Sequence, residues 1–291
     1  MAIGVVTRVL AGFFDVTDGG QVTRCRARGV FRKRNITVLV GDRVQYQATG
    51  SNEGWIEEVL PRQSELVRPP VANVTQAVLV FSAGNPEFQP YLLDKSLVVV
   101  SQAGLEVLIV ISKVDLVPAA RVEEIVTPYR VAGYRVLLMS VKEPTAVDLL
   151  KGELKGHTSV FVGPSGVGKS SLGNALSPSL GLKMGEISEK MGRGKHTTRH
   201  TELFFIEDDT YVADAAGFSQ LQVEIPSPQL RLYFPEFEAF SGDCPYRGCL
   251  HIDEGDCAVK AAVESAQLSP SRYQSYQQLY DEVRHREETR Y

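Results

Sequence analysis

The eight residues Gly163-Pro164-Ser165-Gly166-Val167-Gly168-Lys169-Ser170 fit the phosphate-binding pattern GxxxxGK[ST], and their place in the chain constrains the fold more than the pattern does. A base-reading turn is expected after such a loop. Here its candidate, Ser112-Lys113-Val114-Asp115, lies about fifty residues before the loop, while the switch-type Asp214-Ala215-Ala216-Gly217 follows it. That order is the one a circularly permuted P-loop GTPase domain would show.

The chemistry of the loop follows from its neighbours. The stretch from His157 to Val162 is apolar and rich in β-formers, so it reads as a buried strand entering the loop. Ser171 to Leu176 then starts a helix that Pro178 stops. Gly163, Gly166 and Gly168 let the backbone turn its N–H groups toward phosphate oxygens, and the helix N-terminus adds a favourable dipole. Lys169 can reach the terminal phosphates and the Ser170 hydroxyl can ligate Mg²⁺; the site comprises residues 163–170 together with Ser171.

Upstream, Glu106 to Ile111 is another apolar strand, and it delivers Ser112, Lys113, Val114 and Asp115 to a strand end, where α/β sheets bind ligands. A carboxylate at Asp115 can accept from guanine N1–H and the 2-amino group together. Adenine lacks that donor pair, which disfavours a P-loop ATPase. Ser112 stands where asparagine is usual, so a weaker tether for this turn is expected. Ser140-Val141-Lys142 sits where a second base-contacting loop would be.

Downstream, Thr210 to Asp214 reads as a strand ending in a carboxylate, suited to holding Mg²⁺ through a water, with the Gly217 N–H set for the γ-phosphate. The basic, glycine-rich run from Gly192 to His200 reads as a switch segment, with Thr197 or Thr198 completing the Mg²⁺ shell. Phe218 occupies the position where many GTPases place a water-orienting glutamine. Slow intrinsic hydrolysis is therefore expected unless His196 or a partner completes the site.

Cys244-x4-Cys249-x-His251-x5-Cys257 gathers three thiols and an imidazole within fourteen residues, a donor set suited to one tetrahedral structural Zn²⁺. A disulfide, which would leave an odd cysteine, and buried free thiols are the alternatives. Cys25 reads as a structural thiol. No signal peptide is evident and no apolar run approaches a membrane span, which agrees with a cytoplasmic protein.

The remaining organisation is multidomain α/β. Short alternating strands, separated by turns at Asp18-Gly19-Gly20 and Gly41-Asp42, give residues 1–66 the pattern of an OB-like β-barrel. Pro61 to Pro70 resembles a linker. The strand from Gln76 to Phe81 opens an α/β region, read as a GTPase domain over 67–222, and residues 223–291 are expected to be a helical zinc-binding domain, a division that the family resemblance given below implies. In the last of these, Tyr273, Tyr276, Tyr280 and Val283 fall at near-helical spacing after Ser269-Pro270, marking a helix with one packed aromatic face. Net charge is −4, which by itself speaks against nucleic acid. Yet Arg24, Arg26, Arg28, Arg32, Lys33 and Arg34 lie within eleven residues that contain no acid, and Lys190, Arg193, Lys195 and Arg199 add a second cluster.

Taken together these features closely resemble the ribosome small-subunit-dependent GTPase A family. The likeness covers the barrel, Arg68-Pro69-Pro70-Val71-Ala72-Asn73, the permuted motifs, Gly194-Lys195-His196-Thr197-Thr198-Arg199 and the Cys-Cys-His-Cys site. It implies a monomeric GTP hydrolase that uses GTP/GDP, Mg²⁺ and one Zn²⁺, binds small-subunit rRNA, and acts late in small-subunit maturation. Two departures are Ser112 and the Ala215-Ala216 pair, which replaces Thr-Pro. The competing reading is a non-enzymatic RNA-binding module. Because the strand ending at Asp214 leads quickly into the zinc region, γ-phosphate contact at Gly217 is expected to reposition that region.

Overall fold

The computed structural model describes residues 1–50, 52–67, 70–140, 142–176, 202–214 and 222–289. The chain divides into two compact units, Met1–Val78 with Val141–Ser219, and Leu79–Ser140 with Gln220–Tyr291.

The first unit opens with a five-stranded barrel. Its strands are β1 (Ala2–Leu10), β2 (Phe13–Asp18), β3 (Gln21–Ala27), β4 (Arg43–Ala48) and β5 (Glu53–Val59). They follow the order β1-β2-β3-β5-β4, and β4 closes back onto β1. Alternation explains the register: Val6, Val16, Cys25, Val44 and Ile56 point inward and are fully buried. Gly19 and Gly20, with φ of 52° and 84°, form the tight β2–β3 hairpin turn. Gly41 (φ 90°) is required for a second reason, since a Cβ there would lie 2.0 Å from the Ala72 carbonyl oxygen. Next to it Asp42, fully buried, accepts from the Leu39 N–H at 2.7 Å and from Arg62 Nε and Nη2 at 2.7 and 2.9 Å. That pair fastens the segment after the barrel, where the short strands β6 (Glu65–Val67) and β7 (Pro70–Ala72) form a hairpin.

The strand β8 (Gln76–Ser82) has no exposed residue. Five later elements follow the barrel within the first unit: α1 (Pro144–Leu154), β9 (Thr158–Val162), α2 (Lys169–Leu176), β10 (Glu202–Glu207) and β11 (Thr210–Asp214). β9 runs parallel to β11, and β10 and β11 form an antiparallel pair. Buried Gln76 ties this region together by accepting from the Ser159 hydroxyl at 2.7 Å and donating to the Glu153 carbonyl.

In the second unit, β12 (Glu106–Ser112) and β13 (Arg135–Met139) pair in parallel, flanked in sequence by α3 (Pro90–Gln102) and α4 (Ala119–Val131). Its C-terminal part carries α5 (Ala258–Glu264) and the long α6 (Pro270–Thr289). Val98, Leu230, Phe234, Phe237, Val259, Tyr276 and Leu279 share one core, so the aromatic face of α6 packs within the chain as its spacing predicts. Beside that core Arg272, 1% exposed, donates to Asp94 at 2.6 Å and to Glu236 at 2.7 and 3.0 Å, and lies over the Phe234 ring at 4.6 Å. Two carboxylates offset the cost of burying that guanidinium. Among the described residues no helix is long and apolar enough to cross a membrane.

Candidate functional site

The phosphate loop is shaped by its glycines. Gly163, Gly166 and Gly168 adopt φ of 149°, 80° and 102°, all outside the region L side chains prefer. Strand β9 ends at Val162, the loop turns through Pro164, Ser165 and Gly166, and α2 begins at Lys169. Leu172 N–H donates to the Gly168 carbonyl at 2.9 Å, starting the helix, so the sequence strand–loop–helix is as the motif predicts. Val167, Lys169 and Ser170 are buried. Lys169 Nζ folds back over the loop and donates to the Gly163 and Pro164 carbonyls at 2.7 and 2.6 Å. Burial lowers its pKa to about 8.

The base-reading candidate lies in the second unit. Ser112 ends β12 and is buried; its hydroxyl donates to the Phe81 carbonyl at 3.1 Å, and its own carbonyl accepts from the Ala83 N–H at 2.9 Å. Serine thus supplies a tether of its own to the neighbouring strand end. Lys113 takes a left-handed conformation (φ 57°) and donates through Nζ to the Asn85 carbonyl, which turns the chain into a 3-10 turn at Val114–Leu116. Asp115, in that turn, is exposed.

The strand expected to end at Asp214 is present as β11. The Asp214 side chain, Ala215-Ala216, Gly217 and Phe218 lie outside the described residues, as do Gly192–His200 with His196, Thr197 and Thr198, the cluster Lys190, Arg193, Lys195 and Arg199, Val141 and Arg68-Pro69.

In the second unit the Cys–His cluster assembles from a knuckle and a helix start. Cys244 and Cys249 bracket a turn closed by Cys249 N–H to the Tyr246 carbonyl at 3.1 Å, with Gly248 at φ 78°. His251 sits at φ 60°, and Cys257 immediately precedes α5. Glu254 organises the intervening loop by accepting from the Leu250 and Ile252 N–H groups at 2.7 and 2.9 Å. Burial pushes its carboxyl up, but these backbone donors outweigh it and hold the pKa below the usual value. Tyr273 and Tyr276 of α6 donate to the His251 and Leu250 carbonyls.

The four candidate ligand atoms lie within 4.8 Å of one another. Cys244 Sγ is 3.9 Å from Cys257 Sγ and 3.7 Å from His251 Nδ1, which is 3.2 Å from Cys257 Sγ. Zinc bonds of about 2.3 Å to sulfur and about 2.0 Å to nitrogen give tetrahedral edges of roughly 3.5–3.8 Å. The cluster therefore fits zinc in a closed, four-ligand arrangement. All four cysteines are free thiols, and the 3.9 Å separation is far beyond an S–S bond. Burial pushes the Cys249 thiol up to about 12 and the Cys257 thiol also upward. Cys25 is buried in the barrel core, its thiol pushed to about 11 by burial and then by the Asp15 charge.

The basic run of the barrel is less free than its sequence implies, because neighbouring strands bring acids to it. Arg24 pairs with Asp15 at 3.0 Å and Arg28 with Glu57 at 2.6 Å. The side chains of Arg32 and Lys33 lie outside the described residues. Arg26 instead lies over the Phe13 ring, 4.8 Å from its centroid.

Residues 3–56 match the RsgA N-terminal domain and residues 59–224 match the RsgA GTPase. The chain is 50% identical over 290 residues to the small ribosomal subunit biogenesis GTPase RsgA of Geobacillus thermodenitrificans, covering 98% of this chain and 99% of that one. The protein of the same name from Caldanaerobacter subterraneus is 45% identical over 288 residues, 99% of this chain and 98% of that one. Among solved structures, the circularly permuted GTPase YloQ superposes with a TM-score of 0.79 at 40% identity, over 98% of this chain and 96% of that one. YjeQ from Thermotoga maritima does so with a TM-score of 0.80 at 36% identity, over 97% and 98%. A permuted motif order, a five-stranded barrel and full-length likeness agree: the chain belongs to the RsgA GTPase family.

Proposed function

We propose that this protein is a GTP hydrolase that serves as a late maturation factor of the small ribosomal subunit, binds small-subunit rRNA, and is stimulated by the subunit. The observation that carries the reading is the phosphate loop: three glycines at positive φ and a buried Lys169, in a chain of the RsgA GTPase family. In this reading residues 163–171 hold the phosphates, Ser112, Lys113, Val114 and Asp115 read guanine, and Ser170 and Asp214 hold Mg²⁺. Gly217 contacts the γ-phosphate, Thr198 completes the metal shell, and His196 or a group of the subunit orients water. Cys244, Cys249, His251 and Cys257 hold one structural Zn²⁺; support comes from their mutual distances.

The proposed division of labour is an RNA-binding OB domain over 1–66, a GTPase domain over 67–222 and a zinc-binding helical domain over 223–291. The protein acts as a cytoplasmic monomer, with γ-phosphate contact at Gly217 repositioning the zinc domain. The test is GTP turnover by the purified protein with and without small subunits, beside Lys169→Ala. Strong stimulation, abolished by the substitution, is the expected result. No turnover in either condition, with GTP binding intact, would replace this reading by a non-enzymatic RNA-binding module.

A further inference from the structure

On the outer face of the barrel four strands place one residue each in a single cross-strand row. Phe13 of β2 is the partner of Arg26 of β3, Arg26 is the partner of Trp55 of β5, and Trp55 is the partner of Gln47 of β4. Residues in register share a face, and strands about 4.8 Å apart make the row roughly 14 Å long. The next row is Asp15, Arg24 and Glu53, where Arg24 is neutralised by Asp15. On the other side Arg28 is neutralised by Glu57. Arg26, by contrast, has no acidic partner among the described residues, and it stands between two aromatic rings.

Trp55 is the chain's one tryptophan and is 39% exposed, although tryptophan is highly buried on average. No ring stacks on it among the described residues. Phe13, Arg24, Arg26, Thr49, Glu53 and Trp55 line a groove of about 220 Å³ there. A cation–π pair that merely braces the sheet would explain Phe13 and Arg26. It gives no reason for an open indole beside them.

We infer that the Phe13–Arg26–Trp55 row is a stacking site for an unpaired RNA nucleotide, with the base on the Trp55 indole and Arg26 meeting its phosphate. The inference rests on the RNA-binding reading of the barrel and gives it a location. An indole offers a π-face that any base can use, and a guanidinium 4.8 Å from the Phe13 ring centroid, with no acid paired to it among the described residues, can donate to a phosphate. A duplex keeps its bases stacked on each other and has none to offer.

The single tryptophan makes the test direct. The full chain is titrated with a fluorescein-labelled, mixed-sequence RNA hexanucleotide and with a duplex of the same sequence, reading Trp55 fluorescence and label anisotropy together. The expected result is quenching by the single strand and none by the duplex. Trp55→Ala should weaken single-strand binding about tenfold while Trp55→Phe stays within about threefold. Arg26→Gln should weaken it and lower the salt slope by about one. Thermal melts of each variant confirm the fold, and the surface position of Trp55 makes loss of folding easy to recognise. Binding without quenching, unchanged affinity in Trp55→Ala, or no single-strand binding at low salt would each overturn the inference. Subunit-stimulated GTP turnover is measured separately on the same samples: its absence in the parent protein sinks the ribosomal reading, whatever the oligonucleotide result.

Discussion

The phosphate loop and the Cys–His cluster are made of different material. In the loop the shape resides in the backbone: Gly163, Gly166 and Gly168 hold positive φ, which a residue with a Cβ rarely adopts. In the cluster three thiols and one imidazole from separate turns face each other across less than 4.8 Å. Glu254, Lys260 and the two tyrosines brace those turns from outside. A backbone-built site keeps its form by itself. A side-chain-built site would draw its cohesion from a cation that its donors share, so binding free energy there would be folding free energy.

The sharpest way to break that contrast is to remove the metal. Purified protein should contain one zinc, and chelation or Cys257→Ala should forfeit stabilisation on the order of 10 kcal/mol in the region around the cluster. Limited proteolysis read by mass spectrometry should then cut between 244 and 268 while 142–176 stays protected. Continued protection of the cluster after zinc is gone would mean that hydrogen bonds and the aromatic core suffice.

Next in size is Lys169→Ala. Hydrolysis should fall by about a hundredfold or more, because a preorganised charge facing the phosphates is lost. Zinc content should not change, and the melting temperature should hold or rise, since a desolvated cation has been removed. A falling melting temperature would show that the lysine's bonds to Gly163 and Pro164 brace the loop, against a shape set by glycine alone.

Proton linkage sets the two sites apart by sign. The Lys169 pKa is lowered to about 8, so between pH 8 and the ordinary lysine range the folded chain holds fewer protons than the unfolded one, and stability rises with pH across that window. Polyphosphate needs the cation. Guanine nucleotide affinity should therefore fall as pH rises through about 8, by up to about tenfold per unit. Metal uptake runs the other way, since thiols must lose protons to ligate. Titration calorimetry at pH 8.5 in two buffers of different ionisation enthalpy should report proton uptake with GDP and proton release with Zn²⁺. The same sign for both would end the comparison.

The same distinction explains what could be read from sequence. The loop and the cluster are contiguous, so residue types at fixed offsets reveal them. The helices Pro90–Gln102, Ala119–Val131 and Pro144–Leu154 have no capping side chain, and their start signals reduce to a proline at or beside the first turn. The Arg272–Asp94 pair joins residues 178 positions apart, and the Phe13–Arg26–Trp55 row exists only once strand register is known. Likewise, Arg24 and Arg28 look free in a run without acids, yet Asp15 and Glu57 arrive from neighbouring strands. Offsets disclose local chemistry; partners across strands and helices require the fold.

The turn at Ser112 shares something of both kinds of site, since its proposed base-reading group is the Asp115 side chain while its position is set by contacts to the backbone. Asparagine at this place would reach further, but the buried serine hydroxyl already bonds to the Phe81 carbonyl at 3.1 Å, and the Ala83 N–H holds the Ser112 carbonyl. Ser112→Ala keeps the second contact and loses the first, which costs about 1 kcal/mol. GDP affinity should drop by about fivefold at constant pH, whereas inorganic tripolyphosphate, which has no base, should compete as well as before. An equal loss for both would mean that the turn and the phosphate loop respond as one site. A loss confined to GDP would place the effect at the base alone, with the Ser112 hydroxyl contributing to the position of Asp115.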